Sequence, residues 1–337
     1  AKLRLDLAYS IGALSRGRLS EAVEHARVGA RLADEHGDEE LRSVTQLQLA
    51  ITEAFVGNLD ECERALDEFF RGPPVRSRFV GFSSSAIAHA WRGYVLQNRG
   101  HMKEARESFA RTQQLDATAD PLTQVLDAAT IVSFGEACGE LPGAIELTAR
   151  MARVAEEFGG SNLLVAARSS LARVHALRGE WREAVRLFEE GLALANEHRV
   201  YLENEGDELA SLAHAYLEIG APDRAKESAE RGIVLARERG SRIQDLRNVI
   251  ALARAEVALG HDGAVDPLLA RAAGLIAAMG ALAFRPHLAE TRAERARRSG
   301  DRAGWRAELA EAYRLFTETG ATGHAARVAR ILGGRDT

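Results

Sequence analysis

Histidine, serine, cysteine and glycine are the residues here whose spacing could do chemistry. The ten histidines form no His-Glu-x-x-His pair and no paired metal spacing with cysteine. His175 and His214 lie within apolar-periodic segments and are expected to be structural. Gly81-Phe82-Ser83-Ser84-Ser85 begins like a nucleophile elbow but lacks the final glycine and a preceding strand. Its serines are better placed as N-caps for the helix that contains Trp91. No glycine-rich segment ends in Gly-Lys-Ser or Gly-Lys-Thr, the ending a phosphate loop needs. The nearest candidate, Gly320-Ala321-Thr322-Gly323-His324, falls where one helix should stop and another start. Cys62 and Cys138 read as small packing residues. With no convergent nucleophile or acid–base set, a binding protein is expected rather than an enzyme, with no metal and no cofactor.

The elements that would position any binding groups follow from a glycine ladder. Gly17, Gly57, Gly100, Gly139, Gly179, Gly220, Gly260 and Gly300 recur about every forty residues. Five places after the first six stand Ala22, Cys62, Ala105, Ala144, Ala184 and Ala225; after the last two stand Val265 and Trp305. A second glycine falls twenty places after several anchors, at Gly37, Gly159, Gly240, Gly280 and Gly320. A period this regular marks an array of one supersecondary unit.

Residues 161–198 show what the unit is. Leu164, Ala167, Leu171, Val174 and Leu177 share one helical face. Ser161 or Asn162 is expected to cap its start, and Gly179 to end it. A second helix follows, with Ala184, Val185, Phe188, Leu192 and Ala195 on one face. Glu180 and Glu183 lie near its N-terminus and His198 and Arg199 near its end, as the helix dipole favours. Each unit is thus helix A, tight turn, helix B, with each helix roughly 25 Å long. The small residue lies in the first turn of helix B, where the two backbones approach most closely. Val265 and Trp305 suggest that the last two units loosen or cap the array.

Proline agrees with this register. Pro142 and Pro222 fall just after anchor glycines, and Pro121 and Pro286 just before a new helix A. Pro267 predicts a short or late-starting helix B in the seventh unit. Gly72-Pro73-Pro74-Val75-Arg76-Ser77 predicts a bend or widened loop.

The 337 residues carry a net charge of −5, with 28% charged and 6% aromatic residues, which gives no general attraction to nucleic acid. The arginine-rich C-terminal segment is interleaved with Glu290, Glu294, Glu308 and Glu311, so its charges can pair along helix faces. No apolar run approaches the ~20 residues that span a bilayer. Two unpaired cysteines suit a reducing cytoplasm. The chain opens in helical period without a methionine and is expected to be a piece of a longer polypeptide.

The Leu-Ala pairs Leu49-Ala50, Leu171-Ala172, Leu212-Ala213 and Leu252-Ala253, the turn glycines, the early helix B alanines and Tyr216, Phe109 and Phe188 resemble tetratricopeptide (TPR) repeats. The period departs from that family, being nearer forty residues than thirty-four. The resemblance implies an all-α superhelix, a solenoid of about eight hairpins over residues 1–337. Its units are expected at 1–37, 38–77, 78–120, 121–159, 160–199, 200–240, 241–280 and 281–337. In TPR arrays helix A lines the concave face. Alignment on the Leu-Ala pairs therefore places Tyr94, Gln97, Asn98, Arg173, Asp207, His214, Arg247 and Arg254 toward a groove. That groove would take a protein or peptide ligand, and the three arginines would suit an acidic segment.

The ending, from Tyr313-Arg314-Leu315-Phe316 through Ile331-Leu332, is similar to the tails of bacterial proteins that join a class III nucleotide cyclase to a P-loop NTPase and a TPR array. It also resembles the repeats of LuxR-type ATP-dependent activators. These resemblances imply an effector-sensing module of a larger signalling or transcriptional regulator, with upstream domains or a second copy as further partners. The alternatives are an assembly scaffold and the effector domain of a DNA-binding activator.

Overall fold

The computed structural model describes residues 2–72, 84–116, 121–140 and 144–334. Among them the regular structure is helical, with no strand. Eight hairpins follow in order: α1 (Lys2–Ser15) with α2 (Leu19–His36), α3 (Glu39–Val56) with α4 (Leu59–Arg71), α5 (Ser84–Arg99) with α6 (Met102–Asp116), and α7 (Pro121–Cys138) with α8 (Ala144–Phe158). Then come α9 (Ser161–Leu177) with α10 (Trp181–His198), α11 (Glu205–Glu218) with α12 (Pro222–Arg239), α13 (Arg242–Leu259) with α14 (Asp262–Met279), and α15 (Arg285–Arg298) with α16 (Arg302–Thr319). One further helix, α17 (Thr322–Gly333), packs on α16. The fold is a TPR-like all-α solenoid.

Local chemistry explains the hairpins. Gly57 ends α3 at φ 80°, a left-handed conformation that costs glycine little. Its N–H reaches the Ala54 carbonyl at 3.0 Å, and the Asn58 N–H reaches Glu53 at 2.8 Å, so two terminal carbonyls find partners. Asp38 caps the start of α3 by accepting the Leu41 N–H at 3.1 Å. At α9 the cap is Gly160, and Ser161 is already helical; no side chain caps that end. Ala22, Cys62, Ala105, Ala184 and Ala225 are completely buried, which fits their place at the closest backbone approach. Val265 is equally buried, so the seventh hairpin is not loosened there. Trp305 is half-buried against a cluster that includes Phe316 and Val328. The Ala144 side chain and Pro142 lie outside the described residues, as do 73–77 and Gly81–Ser83.

Pro222 opens α12, Pro121 opens α7 and Pro286 is the second residue of α15. Pro267 corrects an expectation. Helix α14 starts on time at Asp262 and carries the proline inside it. The ring removes one early i→i−4 bond, to the Gly263 carbonyl, and packing of Val265, Leu269, Ala272 and Ile276 holds the helix through it.

The A helices α1, α3, α5, α7, α9, α11, α13 and α15 contact one another in series and form the inner wall. The superhelix then returns upon itself. Helix α3 touches α13, α17 touches α7, and the 3-10 turns Leu202–Asn204 and Leu282–Phe284 touch α1 and α5. The Ser241 hydroxyl donates to the Phe55 carbonyl at 2.6 Å, Arg242 donates to the Gly57 carbonyl at 2.9 Å, and His324 Nε2 donates to the Glu136 carbonyl at 3.0 Å. Gly17, Gly57, Gly100 and Gly139 lie in this seam, whereas Gly220, Gly260 and Gly300 face open space.

Candidate ligand-binding channel

Closure turns the concave groove into a channel with two neighbouring cavities, of about 260 and 190 Å³, which share Ser133 and Arg247 in their linings. The A helices supply most of the lining. Tyr94, Arg173, Asp207 and Arg247 line the larger cavity. Gln97, Asn98, His214, Arg247 and Arg254 line the smaller one. All eight residues aligned toward a groove therefore meet on one continuous wall.

The larger cavity is two-sided. Its apolar side comes from α1, α3 and α5, with Leu7, Ile51, Phe55, Ile87 and Trp91 among its residues. Trp91 packs between Phe55 and Tyr94, with ring centroids 5.2 Å from each. Its polar side comes from α9, α11, α13 and the 202–204 turn: Arg173, Glu203, Asp207, Glu208 and Arg247.

The arginines on this wall are not free cations. Arg173 pairs with Glu136 and, at 2.9 Å, with Glu208, and donates to Ser211 at 3.1 Å. Arg247 lies 3.3 Å from Asp207 and 3.5 Å from Glu136. Burial would raise the Glu136 carboxyl, but Arg173 and Arg247 outweigh it and hold it down at about 2. Arg254 lies 3.8 Å from Glu218 and 3.1 Å from His214 Nδ1, which accepts from it. Burial, reinforced by Arg254, lowers His214 to about 3, so it is neutral at physiological pH. The expected preference for an acidic ligand thus loses its basis, because the guanidiniums are already matched within the wall.

Glu203 is different. It makes no ion pair among the described residues, and its Oε2 is shielded from solvent without a hydrogen-bond partner, although the residue as a whole is half-buried. Burial pushes its carboxyl up to about 8, with a hydrogen bond from its own backbone N–H and then Arg239 opposing only in part. Glu208 Oε2 is likewise buried and unpartnered. Two left-handed non-glycine residues, Arg199 at φ 52° and Tyr201 at φ 59°, turn this segment into the wall. Arg199 stands twenty places after Gly179, where five other units carry a glycine.

Sequence reasoning missed Glu136, Glu203, Glu208 and the role of Trp91. Glu136 had a usable signal. It lies three places before its anchor glycine, the register that Gln97 occupies. Six places before the first seven anchors stand Ile11, Ile51, Tyr94, Ser133, Arg173, His214 and Arg254, and every one lines the channel; Glu294, six places before the eighth, does not. Glu203 had no such signal, because it sits in an irregular turn between units. Ser84, the first residue of α5, lines the larger cavity, whereas Ser85 and both cysteines line neither cavity. Cys62 and Cys138 are buried thiols, and burial pushes Cys138 up to about 12, which suits packing rather than reactivity.

Among the described residues no group of ligating side chains could hold a metal, and no helix is long and apolar enough to cross a membrane. The C-terminal arginines largely pair: Arg292 with Glu308, Arg314 with Glu311 and Glu318, and Arg327 with Glu290.

No family model matches the chain, and no curated protein does. Solved structures do. A Rap protein complexed with competence and sporulation factor is similar over 98% of this chain and 96% of its own, with 11% identity and a TM-score of 0.64. NprR in complex with its cognate peptide NprX is similar over 91% of this chain and 88% of its own, with 12% identity and a TM-score of 0.62. At these identities the likeness is one of fold.

Proposed function

We propose that this chain is a peptide-binding sensor module whose ligand lies in the closed channel, contacting Tyr94, Gln97, Asn98, Arg173, Asp207, His214, Arg247 and Arg254. The observation that carries this reading is the channel itself. Two cavities are lined by successive A helices, with an apolar wall and convergent polar groups, the composition typical of ligand pockets. Their size admits side chains or a short extended segment, not a folded domain. The likeness in fold to NprR, which was solved with its cognate peptide, points the same way. In a larger regulator, a ligand bridging the apolar and polar walls would favour the closed superhelix, and closure is the change that neighbouring domains would sense.

The test uses Ser133, which lines both cavities. Ser133→Trp should plug both while preserving the helical circular dichroism. A random peptide library passed over the wild-type chain should enrich sequences that the plugged variant does not retain. Equal enrichment on both proteins, or enrichment on neither, would count against the channel.

A further inference from the structure

Among the described residues, the larger cavity carries more carboxylates than cations. Three carboxylates, Glu203, Asp207 and Glu208, line the same cavity as the Phe55–Trp91 pair. Glu136 joins them from α7 at the base of the same network. The cations paired with them are Arg173 and Arg247, each shared between two carboxylates; Arg239, which also acts on Glu203, is already paired with Glu205. Four carboxylates against two guanidiniums leave acceptors in excess. The surplus is visible at atomic level: Glu208, only 4% exposed, keeps Oε2 without a partner, and Glu203 Oε2 is shielded and unpartnered as well. Leaving such acceptors unmatched is costly in a low-dielectric site, and a donor group removes the cost.

We infer that this cavity binds a primary ammonium carried next to a large apolar side chain, either the free amino terminus of a peptide or a lysine within one. This rests on the peptide-channel reading above. The geometry assigns each half of such a ligand. The ammonium, with three donors and no acceptor, meets Glu203 and the free oxygen of Glu208. The apolar side chain lies against Trp91 and Phe55. A carboxylate or phosphate would face the excess acceptors instead, with no unpaired guanidinium to receive it. The raised Glu203 carboxyl is what such a site shows before a cation arrives, and an arriving ammonium would draw it back toward ionisation.

The experiment titrates the full chain with three synthetic probes by calorimetry, with tryptophan fluorescence in parallel. The probes are phenylalanyl-leucine amide, its N-acetyl form, and N-acetyl-lysyl-leucine amide. At least one ammonium-bearing probe should bind about tenfold or more tighter than the N-acetyl form, which has no amine. Which of the two binds tighter assigns the cation to an amino terminus or to a lysine. Glu203→Gln keeps the shape and breaks no ion pair; it should remove most of that advantage without lowering the thermal midpoint. The fluorescence change should vanish in Trp91→Phe. Equal binding with and without an amine, or full affinity in Glu203→Gln, overturns the ammonium assignment. If the Trp91 signal persists in that case, the channel reading survives it. Absence of binding by all three probes up to their solubility limit also overturns the assignment. The channel reading itself stands or falls on the Ser133→Trp library comparison.

Discussion

Closure of the superhelix can be measured with two substitutions that are locally identical. Gly57 and Gly260 both end an A helix, at φ 80° and 76°. Alanine at either position must adopt a left-handed conformation, which costs about 1–2 kcal/mol and is offset by roughly 0.4–1 kcal/mol from a stiffer unfolded chain. Gly260→Ala meets nothing within 4 Å, so its expected cost stays near 1 kcal/mol. At Gly57 the new Cβ would sit 2.8 Å from Met279 Sδ and 3.1 Å from the Ile243 backbone nitrogen. The methionine can swing aside, but the backbone nitrogen of α13 cannot. An overpacking cost of about 1–3 kcal/mol is added, for a total of about 2–4 kcal/mol. The clash exists only because α3 meets α13 across the seam. Urea unfolding of the full chain, followed by circular dichroism, compares the two midpoints and slopes. If Gly57→Ala loses no more stability than Gly260→Ala, the superhelix is open in solution and the closed channel is refuted.

Three further outcomes follow from the same contacts. Arg173→Ala should cost about 3–5 kcal/mol, because it strands Glu136 and Glu208 in a buried network, whereas the more exposed Arg254→Ala should cost under about 1 kcal/mol; equal losses in denaturant would dismiss the network. Ala184→Leu should cost about 1–3 kcal/mol by wedging α9 from α10, and an unchanged thermal midpoint would sink that packing role. The raised Glu203 carboxyl means that the folded state holds a proton the unfolded chain has released, so its contribution falls as pH rises from about 4.5 to about 8. His214 and His324, lowered to about 3 and about 4, act oppositely, since stability is lost as pH falls below the ordinary histidine range. Stability profiles of wild type and Glu203→Gln should therefore separate steadily from about pH 4.5 to about 8, with the variant the flatter of the two above the ordinary histidine range; parallel profiles would show that Glu203 titrates normally.

The hairpins were legible because helix ends are local events. A glycine that must turn left-handed, an alanine five places on and an apolar face at three- and four-residue steps each act within one unit, and the chain repeats them. The same register carried Tyr94, Arg173, His214 and Arg254 onto one face, since a helical position six places before the turn points the same way in each of the first seven units. Charge balance was not legible in that way. Arg173 looked free in the sequence because its partners, Glu136 and Glu208, lie on α7 and α11, and a register gives direction without naming what stands opposite. Pro267 looked like a helix breaker because the packing that holds α14 together comes from other residues of its face and their neighbours.

The amino-acid sequence by itself determined where helices stop, which face of each is apolar and which side chains share the inner wall, because these depend on backbone conformation and spacing within about forty residues. Tertiary structure alone decided that Gly57 packs against Ile243 and Met279 while Gly260 packs against nothing. It likewise decided that the groove is a channel and that its arginines are already paired. Those outcomes depend on small rotations per hairpin that accumulate over several units before α3 meets α13. No local pattern records that sum.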